Sequence, residues 1–179
     1  GLKLFLSPSG MTNHAPHSTN EGANGLALDS DGKLVLCQHG NRAVARLKDW
    51  NTDKPEFEFL IDHYDGKWLN SPNDLAFDKS GKLFFTDPPY GLGSQDGDPI
   101  KELDFNGIYS LTKSGNVQLL DRSLKRPNGI ALSKDEKTLY VGNSDGQNSI
   151  VAAFDLKNGT LENKRVFFDG NVLGKTRRG

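Results

Sequence analysis

The sequence predicts an all-β fold, part of a β-propeller, on three observations. A short template is written three times: an Asn, a small or acidic residue, an alternating apolar run, a polar turn and a second β-rich run. The copies begin Asn24-Gly25-Leu26-Ala27-Leu28, Asn73-Asp74-Leu75-Ala76-Phe77 and Asn128-Gly129-Ile130-Ala131-Leu132, spaced 49 and then 55 residues apart. Such periods, made of short strands, are those of propeller blades, which run at about 40 to 50 residues with four strands each. The apolar runs are four to eight residues long and rich in Val, Ile, Leu, Phe and Tyr, and none sustains a 3.6-residue stripe. Almost no helix is expected.

Taken in order, Leu2-Lys3-Leu4-Phe5-Leu6 alternates with no inner strands before it, so residues 1–7 are expected to be the outer strand of a preceding blade. Residues 7–23 carry Pro8, Gly10, Pro16 and Gly22 without periodicity and predict a long loop. The first full blade spans about 24–66, with strands near 25–29, 33–38, 42–48 and 56–61. Its first turn, Asp29-Ser30-Asp31-Gly32, offers an Asx side chain and a glycine able to take positive φ. The second spans about 72–122, with strands near 74–78, 82–87, 107–112 and 116–121 and a long excursion that begins at Pro88-Pro89-Tyr90-Gly91. The third spans about 127–170, with strands near 129–133, 138–142, 149–156 and 163–168.

Composition bounds the function. The chain has 179 residues, 35% hydrophobic and 25% charged, yet holds only about three and a half repeats, fewer than close a ring; a fragment of a larger propeller is expected. A net charge of −1 offers no broad basic field for a phosphate backbone, so nucleic acid is not expected as a partner. The basic cluster Lys175-Thr176-Arg177-Arg178 reads as a solvated tail. No apolar run approaches the roughly 20 residues that span a bilayer, so no membrane partner is expected. The lone Cys37 excludes an internal disulfide and reads as a small core residue. Compartment and oligomeric state are left open.

In a propeller the first strand of each blade lines the central channel, so Asn24, Asn73 and Asn128 are expected to converge at one mouth of it. An Asn carbonyl is a hard neutral oxygen that suits Ca²⁺ or Mg²⁺. The alternative is an Asx-turn with its own backbone. Asp74 is a candidate to orient Asn73 from behind, or to cap backbone. His39, after a strand and before Gly40, is a candidate to reach the pocket from the blade before Asn73, although a loop histidine more commonly has solvent on one side. Asp87, before Pro88-Pro89, reads as a turn initiator. His14 and His17 lack the further Cys or His of a four-coordinate zinc site. Trp50, Trp68 and Tyr90 read as packing residues, with Tyr90 on the loop expected to roof the channel. No Gly-x-Ser-x-Gly elbow is present, so a serine hydrolase is not indicated.

Asn70-Ser71-Pro72-Asn73-Asp74, Thr86-Asp87-Pro88-Pro89-Tyr90-Gly91, Glu102-Leu103-Asp104-Phe105 with Gly107-Ile108-Tyr109, Arg126-Pro127-Asn128-Gly129 and Leu36-Cys37-Gln38-His39-Gly40 occur in this order along nearly the whole chain. Together they resemble the gluconolactonase branch of the senescence-marker-protein, gluconolactonase and luciferin-regenerating-enzyme family. The resemblance implies a six-bladed propeller, a divalent cation on its axis, and hydrolysis of sugar-acid lactones as small-molecule substrates. Calcium is the ion it favours, with zinc, magnesium or manganese as alternatives. By the same resemblance Asn128 is a metal ligand, and Asn73 touches substrate or completes the metal shell, with Asp74 and His39 as further substrate-binding candidates.

The departures concern charge. The family's Glu-Gly-Pro motif has no counterpart here, Glu21-Gly22 being a superficial match, and its Pro-Asp-Gly-Met Asp, the expected catalytic base, would fall beyond Gly179. Ser71 stands where some members carry an Arg, two residues before the Asn that touches substrate. Two further functions remain open on the sequence: a non-catalytic propeller that binds a ligand or protein at the channel mouth, and an organophosphate-ester hydrolase of the same fold.

Overall fold

The computed structural model describes residues 1, 4–7, 9–12, 14–15, 22–50 and 55–172. Nearly all regular structure is antiparallel β. The first sheet joins β1 (Ala23–Leu28), β2 (Leu34–Gln38), β3 (Ala43–Leu47) and β4 (Phe57–Ile61) in chain order. A two-stranded hairpin follows, β5 (His63–Tyr64) with β6 (Lys67–Trp68). The second sheet joins β7 (Leu75–Phe77), β8 (Leu83–Asp87), β9 (Gly107–Leu111) and β10 (Val117–Asp121). The third joins β11 (Pro127–Leu132), β12 (Thr138–Asp145), β13 (Asn148–Lys157) and β14 (Thr160–Asp169). Three meanders of four strands, each with its template strand at one edge, are the blades of a partial propeller. Among the described residues, helical structure is confined to one 3₁₀ turn at Gln95–Gly97 and to residues 171–172.

Local chemistry sets these elements. At the first turn the Asp29 carboxylate accepts the backbone N–H groups of Asp31 and Lys33 at 2.9 and 3.0 Å, and Gly32 takes φ +72°. Asp78 repeats the arrangement, accepting Lys82 N–H at 2.9 Å and the Ser80 hydroxyl at 2.6 Å. Asp29 also holds the Arg46 guanidinium at 2.7 Å. Burial alone would raise its carboxyl pKa, but the two backbone N–H groups and Arg46 outweigh that and hold it below the usual value.

Strand bounds depart from expectation where a tight turn does more than a loop. Asn158-Gly159 both take positive φ, closing a two-residue hairpin with Lys157 opposite Thr160, so β13 and β14 run ten residues each. The β5–β6 hairpin turns on Asp65-Gly66, again both at positive φ, and was not anticipated. Leu4, Phe5 and Leu6 are in no strand, contrary to the expected outer strand at residues 1–7; Leu2 and Lys3 lie outside the described residues. The Lys175–Arg178 cluster lies outside them too.

The chain divides into two compact units. The first, Gly1–Asp74 with Pro89–Asp104, has a core of Val35, Leu36, Cys37, Val44, Leu69 and Leu103, with Cys37 a free, fully buried thiol. Trp50, expected to pack, is 46% exposed against Phe5. The second, Leu75–Pro88 with Phe105–Gly179, packs Phe84, Ile108, Leu124, Ile130, Leu139 and Phe154 into one cluster. Each unit also carries apolar side chains in solvent on an edge strand: Leu26 and Leu28 on β1, and Val166, Phe167 and Phe168 on β14.

Gly32 has no atom within 4 Å of where a Cβ would stand, so only its φ opposes substitution. Gly32→Ala should therefore destabilise by about 1 kcal/mol, the penalty of a left-handed non-glycine residue, read as a lower urea midpoint at unchanged slope.

Candidate functional site

In the first unit the template Asn lies in a β-bulge. Ala23 pairs with Gln38 and Leu26 with Leu36, so Asn24 and Gly25 together face the single residue Cys37. The N–H of Gly25 is thereby turned out of the ladder and donates to the Asn73 carbonyl at 2.7 Å. The approach is close enough to demand glycine: a Cβ at residue 25 would stand 2.6 Å from Asp74 Oδ1 and 2.7 Å from its Cα. Asn24-Gly25 and Asn73-Asp74, the starts of two successive repeats, are thus in direct contact. Asn73 is buried and Asp74 half-buried.

His39 stands at the end of β2 in a turn that is buried throughout, from Gln38 to Arg42. This overturns the expectation of solvent on one side. Gly91 of the excursion packs on it: a Cβ there would lie 2.7 Å from Ser71 Cβ and 2.9 Å from His39 Cβ, and the Gly91 N–H donates to Ser71 Oγ at 2.8 Å. Desolvation lowers the His39 pKa below 6.5 and favours the neutral imidazole. His39, Ser71 and Gly91 therefore form a packed group two residues upstream of Asn73.

In the second unit Asn128 occupies the same bulge. Pro127 pairs with Asn143 and Ile130 with Val141, leaving Asn128 and Gly129 opposite Gly142. Its carbonyl accepts the Thr86 hydroxyl at 2.6 Å, and its side-chain Nδ2 donates to Ser144 Oγ at 3.2 Å. The half-buried amide lines an open groove of about 440 Å³ with Ser144, Ile150 and Phe168. Asn143 stiffens the groove wall, accepting Arg126 N–H at 2.8 Å and donating to the Asn148 carbonyl at 2.7 Å. Asp87, expected to initiate a turn, ends β8 just before the turn at Pro89–Leu92 and is fully buried.

For a divalent cation the described residues alone do not suffice. Asn128 and Asn73 offer neutral oxygens, and among the described residues no group of three His, Cys, Asp or Glu side chains is placed to hold a metal ion. Neutral oxygens alone leave the dehydration of a divalent ion largely uncompensated. Glu21 and His17 lie outside the described residues. His14 is committed elsewhere: its Nε2 meets Asp62 Oδ2 at 2.7 Å, its ring stacks on Phe59, and His63 holds the other Asp62 oxygen at 2.8 Å. Burial would raise the Asp62 pKa, but the hydrogen bonds from His63 and His14 outweigh it and hold the carboxylate ionised.

Antiparallel four-stranded repeats, the second and third opened by an Asn held at its carbonyl, define part of a propeller with a polar residue at the start of each template strand. Residues 6–174 match the SMP-30/Gluconolactonase/LRE-like family, and the chain belongs to it. It is 40% identical to a gluconolactonase of Zymomonas mobilis over 97% of this chain and 51% of that protein. It is 30% identical to the lactonohydrolase oryL of Aspergillus oryzae over 51% of this chain and 21% of that protein. Among solved structures, a gluconolactonase from Xanthomonas campestris superposes with a TM-score of 0.71 at 37% identity, over 81% of this chain and 48% of that one. The chain spans about half the length of the gluconolactonases it matches.

Sequence reasoning missed the two bulges, the buried turn and Arg42. Recurrence of Asn-Gly at the first template strand and at the third was the available signal for the bulges.

The buried His39 gives stability a pH dependence. Near pH 6.5 the unfolded chain's ordinary imidazole takes a proton that the folded chain refuses, so stability is full above that pH and falls as pH drops below it, until folded His39 itself protonates. The urea midpoint should therefore fall between about pH 7 and 5, more steeply for the parent chain than for His39→Gln. Equal slopes would show that His39 is not held neutral.

Proposed function

We propose that this chain forms part of a metal-dependent hydrolase of sugar-acid lactones. The observation that carries the reading is the 40% identity to a gluconolactonase along 97% of this chain. The site geometry is compatible with it. Asn128 is held at its carbonyl by Thr86 while its side-chain amide lines the groove, and Asn73 is held at its carbonyl by Gly25. In this reading Asn128 is a ligand of a divalent cation, calcium first among the candidates, and Asn73 contacts the lactone or completes the metal's shell. When bound, the ion supplies Lewis-acid polarisation of the lactone carbonyl and a more acidic water. In this reading its charged ligands and the base that accepts a proton from the attacking water come from outside the described residues.

The chain's own groups bind and orient. A buried, neutral His39 can share a hydrogen bond with a sugar hydroxyl without adding charge, and Asp74, packed closely against Gly25, is placed beside Asn73 as a further substrate-binding group. The polar excursion beginning at Pro89 screens the group from water, its Gly91 pressed onto Ser71 and His39.

Two measurements test this. Alone, the chain should bind Ca²⁺ or Zn²⁺ weakly at most by calorimetry and show no useful turnover of glucono-lactone, because neutral Asn donors lack the carboxylate charge that sets affinity. Tight stoichiometric binding with turnover would show that the chain already supplies the ligands. Joined to the complementary half of the Zymomonas mobilis gluconolactonase, it should hydrolyse the lactone in a chelator-sensitive way, with Asn128→Ala costing about 100-fold or more in kcat. Failure of that joined protein to hydrolyse any sugar lactone, or indifference to Asn128→Ala, would sink the assignment.

A further inference from the structure

The largest side chain fully buried in the structure is a cation, Arg42, 1% exposed. It closes the turn between β2 and β3 at φ +51°, its N–H bonded to the His39 carbonyl at 3.1 Å. Its guanidinium is spread over backbone oxygens from two distant segments. Nε donates to the Leu69 carbonyl at 2.7 Å and to that of Asn70 at 3.2 Å, and one terminal nitrogen donates to the Ile100 carbonyl at 3.0 Å. Leu69 and Asn70 lead into Ser71-Pro72-Asn73; Ile100 belongs to the excursion Pro89–Asp104. The same two segments are pinned a second time by the bond from Gly91 to Ser71.

A buried guanidinium is costly unless its donors are satisfied, and a planar fork with five fixed N–H directions can satisfy carbonyls on two sides at once. A lysine ammonium, a compact point charge, cannot span both. Burial, positive φ and the split donor set are an expensive way to hold two loops, and what those loops share is the neighbourhood of Asn73 and His39.

We propose that Arg42 is a positioning residue for the candidate site, locking residues 69–73 and the Pro89–Asp104 excursion into one geometry so that Asn73 and His39 face the substrate correctly. This rests on the lactonase reading for its catalytic consequence, but the clamp itself does not.

The test uses Arg42→Gly, because glycine accepts φ +51° and leaves only the side chain missing. In the chain as it stands, hydrogen exchange at the Gly91 amide should accelerate at least about tenfold while the β8–β9 ladder of the second unit stays protected, and millimolar ethylguanidinium should restore protection at Gly91. In the joined propeller kcat should drop about 100-fold with KM changed far less, and ethylguanidinium should recover it. Arg42→Lys keeps charge and stem; if Arg42→Gly does not fold, Arg42→Lys should show the same local loosening at Gly91. Unchanged protection at Gly91, or loosening spread evenly over every sheet with no ethylguanidinium rescue, overturns the proposal. A joined parent protein that hydrolyses no lactone overturns the lactonase reading, and the exchange measurement then still decides the role of Arg42.

Discussion

The contact on which both units depend is a single hydrogen bond repeated in two forms: the carbonyl of the Asn that opens one repeat accepts a donor from the repeat before it. Gly25 N–H reaches Asn73, and Thr86 Oγ1 reaches Asn128. One donor is backbone freed by a bulge and the other is a side chain from a second strand, so the constraint is met by different chemistry at the same register position. Its effect is to fix the backbone of each Asn while leaving the side chain to be aimed. At Asn128 the bulge also takes the residue out of the ladder, which is how a residue inside a strand comes to line a groove.

The first unit shows what it costs to surround such a site with polar chain. Loops usually run over the surface, where water satisfies them. The turn from Gln38 to Arg42 is instead buried, and each group must find a partner. Asn41 is bonded through both ends of its amide, accepting Thr12 N–H at 2.8 Å and donating to Gln38 Oε1 at 2.8 Å. Histidine and arginine solve the same problem in opposite ways. Desolvation discharges His39, whose pKa lies close enough to neutrality to yield, whereas a guanidinium keeps its proton at any accessible pH, so Arg42 must be solvated by carbonyls. A neutral group and a charged one thus sit three residues apart in the same interior.

The repeat, the strand class and the order of sheets were legible in the sequence because alternation and Asx-Gly turns act locally: Asp29 and Gly32, and Asp78 and Gly81, do in the structure what their chemistry requires. Asn73 and Asn128 could be singled out because each stands at a fixed place in the template, and His39 because it follows a strand and precedes Gly40. The burial of His39 and Arg42 could not, since Gln38-His39-Gly40-Asn41-Arg42 is polar throughout and reads as solvent-facing. Only the packing of Ser71, Gly91 and Ile100 around it, brought from residues far along the chain, excludes water. The bulges were hidden for a related reason. An Asn-Gly pair inside an apolar run signals a turn as readily as an extra residue in a strand, and pairing with Cys37 or Gly142 decides between them. Asp65-Gly66 and Asn158-Gly159 carried the turn signal openly, and there the structure follows it.

Neutral amides at the starts of template strands carry no ionic charge to desolvate when they are buried. Carboxylates gathered together would repel one another, and Asp62 and Asp29 each already have His or Arg partners within the first unit. Asn oxygens carry no such penalty, so a half-length stretch of propeller can fold with them buried. The exposed Leu26 and Leu28 on β1 and Val166, Phe167 and Phe168 on β14 obey the same logic on the apolar side. A sheet face without a neighbour leaves its side chains in water at about 25 cal/mol per Å², whereas the internal cluster around Phe84 and Leu139 is closed by the packing of two sheets against each other. Backbone geometry at Asn73 and at Asn128 is thus set by contacts within each unit.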